Sequence, residues 1–336
     1  MSGTVVCFGE LLLRLATPAG ALIADAPSLD LVVGGAEANV AVALAAQGWR
    51  ARMVSAVPAN PLGSRAIAAL AGAGVSTRGI VQAPGRMGLY FLETGASLRP
   101  SHVVYDRAGS AFAGAAPDAF DFAGALAGAK LLHLSGITAA LGPGGLALSL
   151  AAIAAARAAG VAVSFDPNYR ELLWSAWPSD PRAALSQLVA EADILFANHR
   201  DMTLLLGRPF SGDGAERRRE AAEAAFAAFP HLTVMASTAR TPLTQTHHRL
   251  AARVDLREAR HQTPDIDIPD IVDRIGTGDA FAAGVLHAWA QGASAQTMAE
   301  TGLALGALKH GLHGDFCRIS PAQLNAFAQT GTDVRR

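Results

Sequence analysis

Nine consecutive residues, Asp273-Arg274-Ile275-Gly276-Thr277-Gly278-Asp279-Ala280-Phe281, carry the densest chemistry in the chain. Two glycines bracket a threonine, an aspartate follows, and an apolar small-residue helix pattern runs from Ala280 to Trp289. Glycine lets the backbone turn so that successive N–H groups converge. The start of a helix adds partial positive charge at the same spot. Such a nest suits a phosphate or a developing negative charge. Asp279 sets a carboxylate beside it, suited to taking a proton from an attacking hydroxyl. An anion cradle with an adjacent base is what phosphoryl transfer to an alcohol requires. The bland alternative is a tight glycine loop with aspartate as a helix cap.

A second segment, Gly34 to Gly48, reads G-G-A-E-A-N-V-A-V-A-L-A-A-Q-G. A glycine pair leads into an Ala/Val/Leu helix that stops at a C-terminal glycine. The pair, Gly34 and Gly35, permits close backbone approach to a ligand, and Asn39 offers both a donor and an acceptor to sugar hydroxyls. Alone, an apolar helix after two glycines is usually just a buried helix.

Together the two segments resemble the signature regions of the ribokinase-like (PfkB-type) carbohydrate kinases, in order, separation and glycine positions. The resemblance runs from Val5-Val6-Cys7-Phe8-Gly9-Glu10 to about Ser320. Within that family the chain is most similar to the 2-keto-3-deoxygluconate kinases. The supporting segments are Gly88-Leu89-Tyr90-Phe91, Val104-Tyr105-Asp106-Arg107, Leu132-His133-Leu134-Ser135-Gly136, Phe165-Asp166-Pro167-Asn168-Tyr169-Arg170 and Gly314-Asp315-Phe316. The resemblance implies an ATP- and Mg²⁺-dependent kinase that converts 2-keto-3-deoxy-D-gluconate to its 6-phosphate, with a monovalent cation as an optional further requirement. It implies Asp279 as base and Gly276, Thr277 and Gly278 as the anion hole. Asp273 would hold the loop or reach a metal through water. Gly34, Gly35, Asn39, Tyr90, Tyr105, Arg107 and Arg170 would contact substrate, and Asn168, Asn198, Ser237, Thr238 and Arg240 would lie on the nucleotide side.

The arginines also have a physical argument. A 2-keto acid carries a carboxylate, which a guanidinium binds bidentately, and a neutral sugar offers no such partner. Arg107 and Arg170 therefore argue for an acidic substrate, unless they make structural ion pairs. Glu10 and Asp166 are further candidate polar contacts in the cleft.

Two departures from the family pattern stand out. Where the family has N-x-x-E, linked to magnesium, this chain has Asn198-His199-Arg200-Asp201. An aspartate is one methylene shorter and can still hold a magnesium water, because Mg²⁺ keeps several waters. Where the family has a glycine turn after a strand, Val234 to Pro242 contains no glycine. Ser237 and Thr238 can still bond phosphate or ribose, and Arg240 can meet the phosphates as a charge. His247 and His248, adjacent and hence on opposite sides of any strand, do not suit one metal; they are expected in a loop.

The elements that must position these groups follow from periodicity. The strand patterns Val5–Phe8, Arg52–Val57, Leu131–Ser135, Val161–Phe165, Ile194–Ala197 and Thr233–Ala236 alternate with helix patterns. Those include Ala38–Gln47, Ser64–Ala71, Gly145–Ala159, Pro181–Glu191 and Ala215–Ala228. Such alternation predicts an α/β fold with a doubly wound, mostly parallel sheet, its ligand beyond the carboxyl ends of the strands. Residues 11–33 and 87–106 are strand-like with no helix between turns. They predict a small β-sheet, or else edge hairpins of the main sheet. In the resembled family that sheet is a lid over the sugar and often a dimer interface, so the resemblance implies a homo-oligomer, a dimer through the lid. Residues 1–320 are expected as one domain and 321–336 as a C-terminal tail.

Composition narrows the function classes. With 336 residues, 51% of them hydrophobic, the chain can bury a large core. A formal net charge of −1 and the absence of a basic block argue against nucleic-acid binding. The run Arg217-Arg218-Arg219 sits among Glu220 and Glu223 and reads as a solvated helix face. Cys7 and Cys317 form no C-x-x-C pair. The longest apolar stretch, Leu146 to Val163, is interrupted by Ser149, Arg157 and Gly160, and reads as helix into strand, not a membrane span. No secretory leader is visible, so a cytoplasmic location is expected. Three rivals share the pattern. They are a kinase for another sugar or sugar acid, such as keto-deoxygalactonate, fructose or ribose; a non-catalytic sugar-acid-binding protein; and a dinucleotide oxidoreductase. The last lacks G-x-G-x-x-G after the first strand, since Phe8-Gly9-Glu10-Leu11 has one glycine.

Overall fold

The computed structural model describes residues 3–327. Its strands are β1 (Thr4–Phe8), β2 (Leu12–Ala16), β3 (Asp30–Gly34), β4 (Arg50–Val57), β5 (Ser76–Gln82), β6 (Gly88–Glu93) and β7 (His102–Asp106). There follow β8 (Leu131–Ser135), β9 (Ala162–Asp166), β10 (Ile194–Phe196), β11 (Val234–Pro242), β12 (His248–Leu256), β13 (Arg260–Gln262) and β14 (Ile266–Ile268). The main sheet has the order β13-β12-β11-β10-β9-β8-β1-β4-β5, with β14 also on β12. From β11 to β5 every neighbour is parallel; β12 returns antiparallel on β11.

A parallel sheet covered on both faces needs strands that are apolar on both faces. β1 and β8 are buried at every position. Alternate residues of β1 serve two layers, as a period of two requires. Val5 and Cys7 join the layer of helices Ala36–Ala46, Thr277–Trp289 and Ala295–Lys309. Val6 and Phe8 join the layer of helices Pro143–Ala158, Pro181–Val189 and Gly214–Ala228.

Residues 11–33 and 87–106 supply a separate four-stranded sheet, β3-β2-β6-β7, so the edge-hairpin alternative falls away. It is tied to the 273–279 motif from below. Arg14 on β2 forks onto the Asp273 carboxylate, Nη1 to Oδ1 at 3.2 Å and Nη2 to Oδ2 at 2.6 Å, and its Nε lies 3.2 Å from Asp315 Oδ1. All three residues are largely buried.

Several sequence expectations need correction. Arg219 is not part of a solvated face: it is buried and pairs with Asp255 at 3.1 Å and Glu223 at 2.8 Å. His248 is no loop residue but opens β12, buried against the ring of His310, while His247 stays in the turn. The segment after Ala236 makes no turn, because β11 runs on to Pro242 against β12. The expected tail begins as a helix, Pro321–Phe327, whose Leu324 joins the core; residues 328–336 lie outside the described residues. Among the described residues no helix is long and apolar enough to cross a membrane.

Candidate active site

A cleft of about 910 Å³ opens at the carboxyl ends of the parallel strands and beneath the small sheet. Doubly wound sheets place ligands there, and the volume is that of a small-molecule site. The strand ends set its walls: Asp166 at the end of β9 with Asn168 and Arg170 beyond it, Asn198 and Asp201 after β10, and Ser237, Thr238 and Arg240 within β11. The small sheet lends Tyr90 from β6 and Tyr105 from β7, cross-strand partners with ring centroids 6.4 Å apart.

The floor is built by two helix N-termini. Gly276 caps the helix Thr277–Trp289 in the left-handed region, φ +79°. A side chain there would place its Cβ 2.1 Å from the carbonyl oxygen of Asp315, so only glycine fits. The N–H groups of Gly278 and Asp279 meet no carbonyl among the described residues, and the first backbone bond of this helix is made by Ala280 to Gly276. These are the unpaired donors of a helix start. Thr277 departs from the expectation: its N–H turns back to the carbonyl of Arg274 at 3.4 Å and its hydroxyl donates there at 2.9 Å. It closes the turn, and leaves the N–H groups of Gly278 and Asp279 as the donors without a carbonyl partner among the described residues.

Asp279 faces the cleft half-buried. Asn39, from the helix Ala36–Ala46, donates Nδ2–H to its Oδ2 at 2.6 Å. The enclosing protein pushes the Asp279 pKa up to about 7. The Asn39 bond opposes this, the carboxylates of Glu37 and Asp315 add to it, and Arg170 opposes it. A carboxyl poised near neutrality is what a general base needs. The Oδ1 of Asn39 is buried without a partner, an acceptor aimed at nothing the protein supplies.

Asp166 and Asp201 line the far wall. Burial, then the charges of Asp201 and Asp279, lift the Asp166 pKa to about 8. Burial also raises that of Asp201, whose Oδ2 accepts the Asn198 N–H at 2.8 Å in a capping box. Asp166 Oδ1 likewise accepts the Asn168 N–H at 2.8 Å, with Asn168 held at φ +42°. Each carboxylate is thus half committed, and no group of three or more metal-ligating side chains occurs among the described residues. These two can hold the waters of a hydrated divalent cation, not a dry cage. That matches Mg²⁺, which dehydrates reluctantly.

The expected substrate contacts divide. Gly35, Asn39, Tyr90, Tyr105, Arg107 and Arg170 all line the cleft, with Asn168, Asn198, Ser237, Thr238 and Arg240. Gly34 does not: it sits against Asp315, whose Oδ2 would lie 2.1 Å from any Cβ there. Nor does Glu10, which is buried behind Arg107, accepting its Nε–H at 2.5 Å and the Ser110 hydroxyl. Arg107 is therefore held in place by an ion pair, while its terminal nitrogens have no partner among the described residues. Arg170 is exposed at the mouth and forms no ion pair among the described residues. Asp273 serves the loop: Oδ1 accepts the Ile275 N–H at 2.9 Å and Oδ2 the Gly314 N–H at 3.2 Å.

Sequence reasoning passed over Arg200 and Arg274. Both line the cleft beside Arg240, and none of the three has an ion pair among the described residues. Asp315 was quoted only as part of Gly314-Asp315-Phe316. It lies under Tyr90, whose hydroxyl donates to Oδ2 at 3.3 Å, and burial lifts its pKa to about 6. An arginine next to a glycine motif was the available signal for Arg274.

A family model described as pfkB family carbohydrate kinase matches residues 2–316. The 2-dehydro-3-deoxygalactonokinase of Haloferax volcanii is 34% identical over 333 residues, 98% of this chain and 98% of that protein. The 2-dehydro-3-deoxygluconokinase of Dickeya dadantii is 30% identical over 279 residues, 80% of this chain and 84% of that one. Among solved structures, the 2-dehydro-3-deoxygluconokinase of Thermotoga maritima has a TM-score of 0.91 at 37% identity, covering 98% of this chain and 100% of that one.

Proposed function

This chain belongs to the pfkB family of carbohydrate kinases, and on that footing we propose that it phosphorylates 2-keto-3-deoxy-D-gluconate at the 6-hydroxyl. One observation carries the reading. A single cleft holds a near-neutral carboxylate against a helix-start nest, with Arg170 free of any ion pair among the described residues and Arg107 tied to Glu10 through Nε alone. Mg-ATP, when bound, supplies the γ-phosphoryl group. Asp279 takes the proton of the substrate hydroxyl as its oxygen attacks phosphorus. The N–H groups of Gly278 and Asp279 receive the charge that gathers on the phosphoryl oxygens. Asn39 fixes the rotamer of Asp279 through Nδ2 and offers Oδ1 to a substrate hydroxyl. Arg107, held by Glu10, and Arg170 receive the acid's carboxylate, with Tyr90 and Tyr105 against its carbon chain. Arg200, Arg240 and Arg274 meet the donor phosphates as charges where the family uses a glycine turn. Asp166 and Asp201 orient magnesium-bound water.

A second reading rests on the Haloferax relative, whose name gives the galactonate epimer. Two acids that differ in one hydroxyl configuration present the same carboxylate to the arginines, so charge does not separate them. ADP release with Mg-ATP across 2-keto-3-deoxygluconate, its galactonate epimer, gluconate, fructose and ribose tests both readings. Turnover of the keto-deoxy acids above all others is expected. Preference for a neutral sugar would discard the role given to Arg107 and Arg170. We also propose that residues 1–320 act as one unit and that two chains pair through the small sheet, whose outer face exposes Val104. Light scattering of a monomeric mass would refute the pairing.

A further inference from the structure

Lys309 is the last residue of the helix Ala295–Lys309 and is fully buried, with none of its surface in solvent. A buried ammonium is costly unless its protons and charge are met. Its Nζ donates to the main-chain carbonyls of Leu312 at 3.1 Å and Asp273 at 3.4 Å. The carboxylates of Asp273 and Asp315 stand nearby and oppose the fall in pKa that burial and Arg14 cause. Carbonyl oxygens with carboxylate charge beyond them form the donor set of a hard cation.

The position matters more than the chemistry. Asp273 begins the loop that ends in the anion nest. The same helix end grips that loop by its backbone, since the His310 carbonyl accepts N–H bonds from Val272 at 2.9 Å and Asp273 at 3.2 Å. Gly314 N–H reaches Asp273 Oδ2, and the Asp315 carbonyl lies against Gly276. Residues 309–315 are the backing on which the nest is laid.

We propose that the Lys309 ammonium is a tethered cation that fixes the 273–278 loop, so that this kinase needs no monovalent metal ion there. The residues present do not fit an added potassium ion, because the oxygens that would hold it are occupied by a charge of the same sign. The optional monovalent cation that family resemblance allows is thus replaced by a side chain. Lys309 is a positioning residue, acting through the loop, and the inference rests on the nest role proposed for Gly278 and Asp279.

The test compares potassium, sodium, ammonium and tetramethylammonium chlorides at matched ionic strength, reading thermal unfolding and, separately, turnover. Wild-type protein is expected to show the same midpoint and the same kcat in all four. The variant Lys309→Met is expected to unfold earlier and to lose about tenfold or more in kcat with little change in KM, an effect of loop position. Potassium or ammonium, but not tetramethylammonium, should restore both midpoint and kcat in part. Wild-type protein that gains stability or kcat specifically from potassium would overturn the proposal. So would a folded Lys309→Met variant that keeps full kcat, or one that responds to no cation. If the variant does not fold, the wild-type comparison decides alone. If no sugar acid is turned over, the substrate reading fails while the thermal comparison still decides this one.

Discussion

Removing the Asn39 amide should move the pH at which the enzyme switches on. The Asn39 Nδ2–H bond to Asp279 Oδ2, 2.6 Å long, stabilises the charged form of the carboxylate. A hydrogen bond to a charged group contributes about 1.5–3 kcal/mol, and one pKa unit corresponds to about 1.36 kcal/mol. Asn39→Ala should therefore raise the Asp279 pKa from about 7 by about 1–2 units. The base works ionised, so activity is present above its pKa and lost as pH falls through it. At pH 7 about half of the wild-type sites carry the base, against about 1–10% in the variant, a loss of about 5–50-fold in kcat/KM. At pH 9 the pH-dependent part of the loss should have gone, leaving only the pH-independent loss of the Oδ1 contact with the substrate hydroxyl. The assay is kcat/KM for the sugar acid from pH 6 to 9, with magnesium and ATP saturating. If Asn39 only contacts substrate, the loss will be the same at every pH. A parallel downward displacement with an unmoved acid limb would thus refute the reasoning.

Other expectations follow from the same geometry. Asp279→Asn should lower kcat by about 10²–10⁴-fold while calorimetric binding of the sugar acid persists; near-wild-type turnover would remove Asp279 as base. The same variant should be more thermostable at pH 8. A carboxylate whose folded pKa is raised costs stability once pH exceeds its unfolded value, and here the gain should be about 1 kcal/mol after allowing for water in the cleft; an unchanged or lowered midpoint would contradict the pKa. Arg170→Ala should raise KM for a keto acid far more than for any neutral sugar the enzyme accepts, and equal losses would make Arg170 structural. Gly276→Ala should lower kcat sharply, since the new Cβ would sit 2.1 Å from a main-chain oxygen at φ +79°; a variant with unchanged kcat would mean that the loop can move without consequence.

How much of this was legible in the sequence depended on whether the signal was local. The central strands β1 and β8 were readable because a sheet buried on both faces leaves nearly unbroken apolar runs, Val5–Phe8 in one and Leu131–Leu134, interrupted only by His133, in the other. The helix starting at Thr277 was readable because its cap needs glycine. β5 was missed because Ser76-Thr77-Arg78-Gly79 hides an edge strand behind polar residues. The pairings of charge were missed for a different reason. Arg14 meets Asp273 across 259 residues and Arg107 meets Glu10 across 97, and nothing in the local pattern reports such encounters. Arg219 reads as a surface cation in one dimension and, like Lys309, is a buried anchor in three. Thr277, bracketed by glycines, looked like a donor to the ligand, and only the backbone path shows that it closes the turn.

The most direct measurement is phosphorus NMR of a reaction containing Mg-ATP and 2-keto-3-deoxygluconate, run in parallel with wild-type protein and Asp279→Asn. The account predicts a new phosphomonoester coupled to the C6 protons, growing with ADP in wild-type protein and about 10²–10⁴-fold more slowly with the variant. A monoester at another hydroxyl, ADP with free phosphate alone, or equal product from both proteins would contradict it.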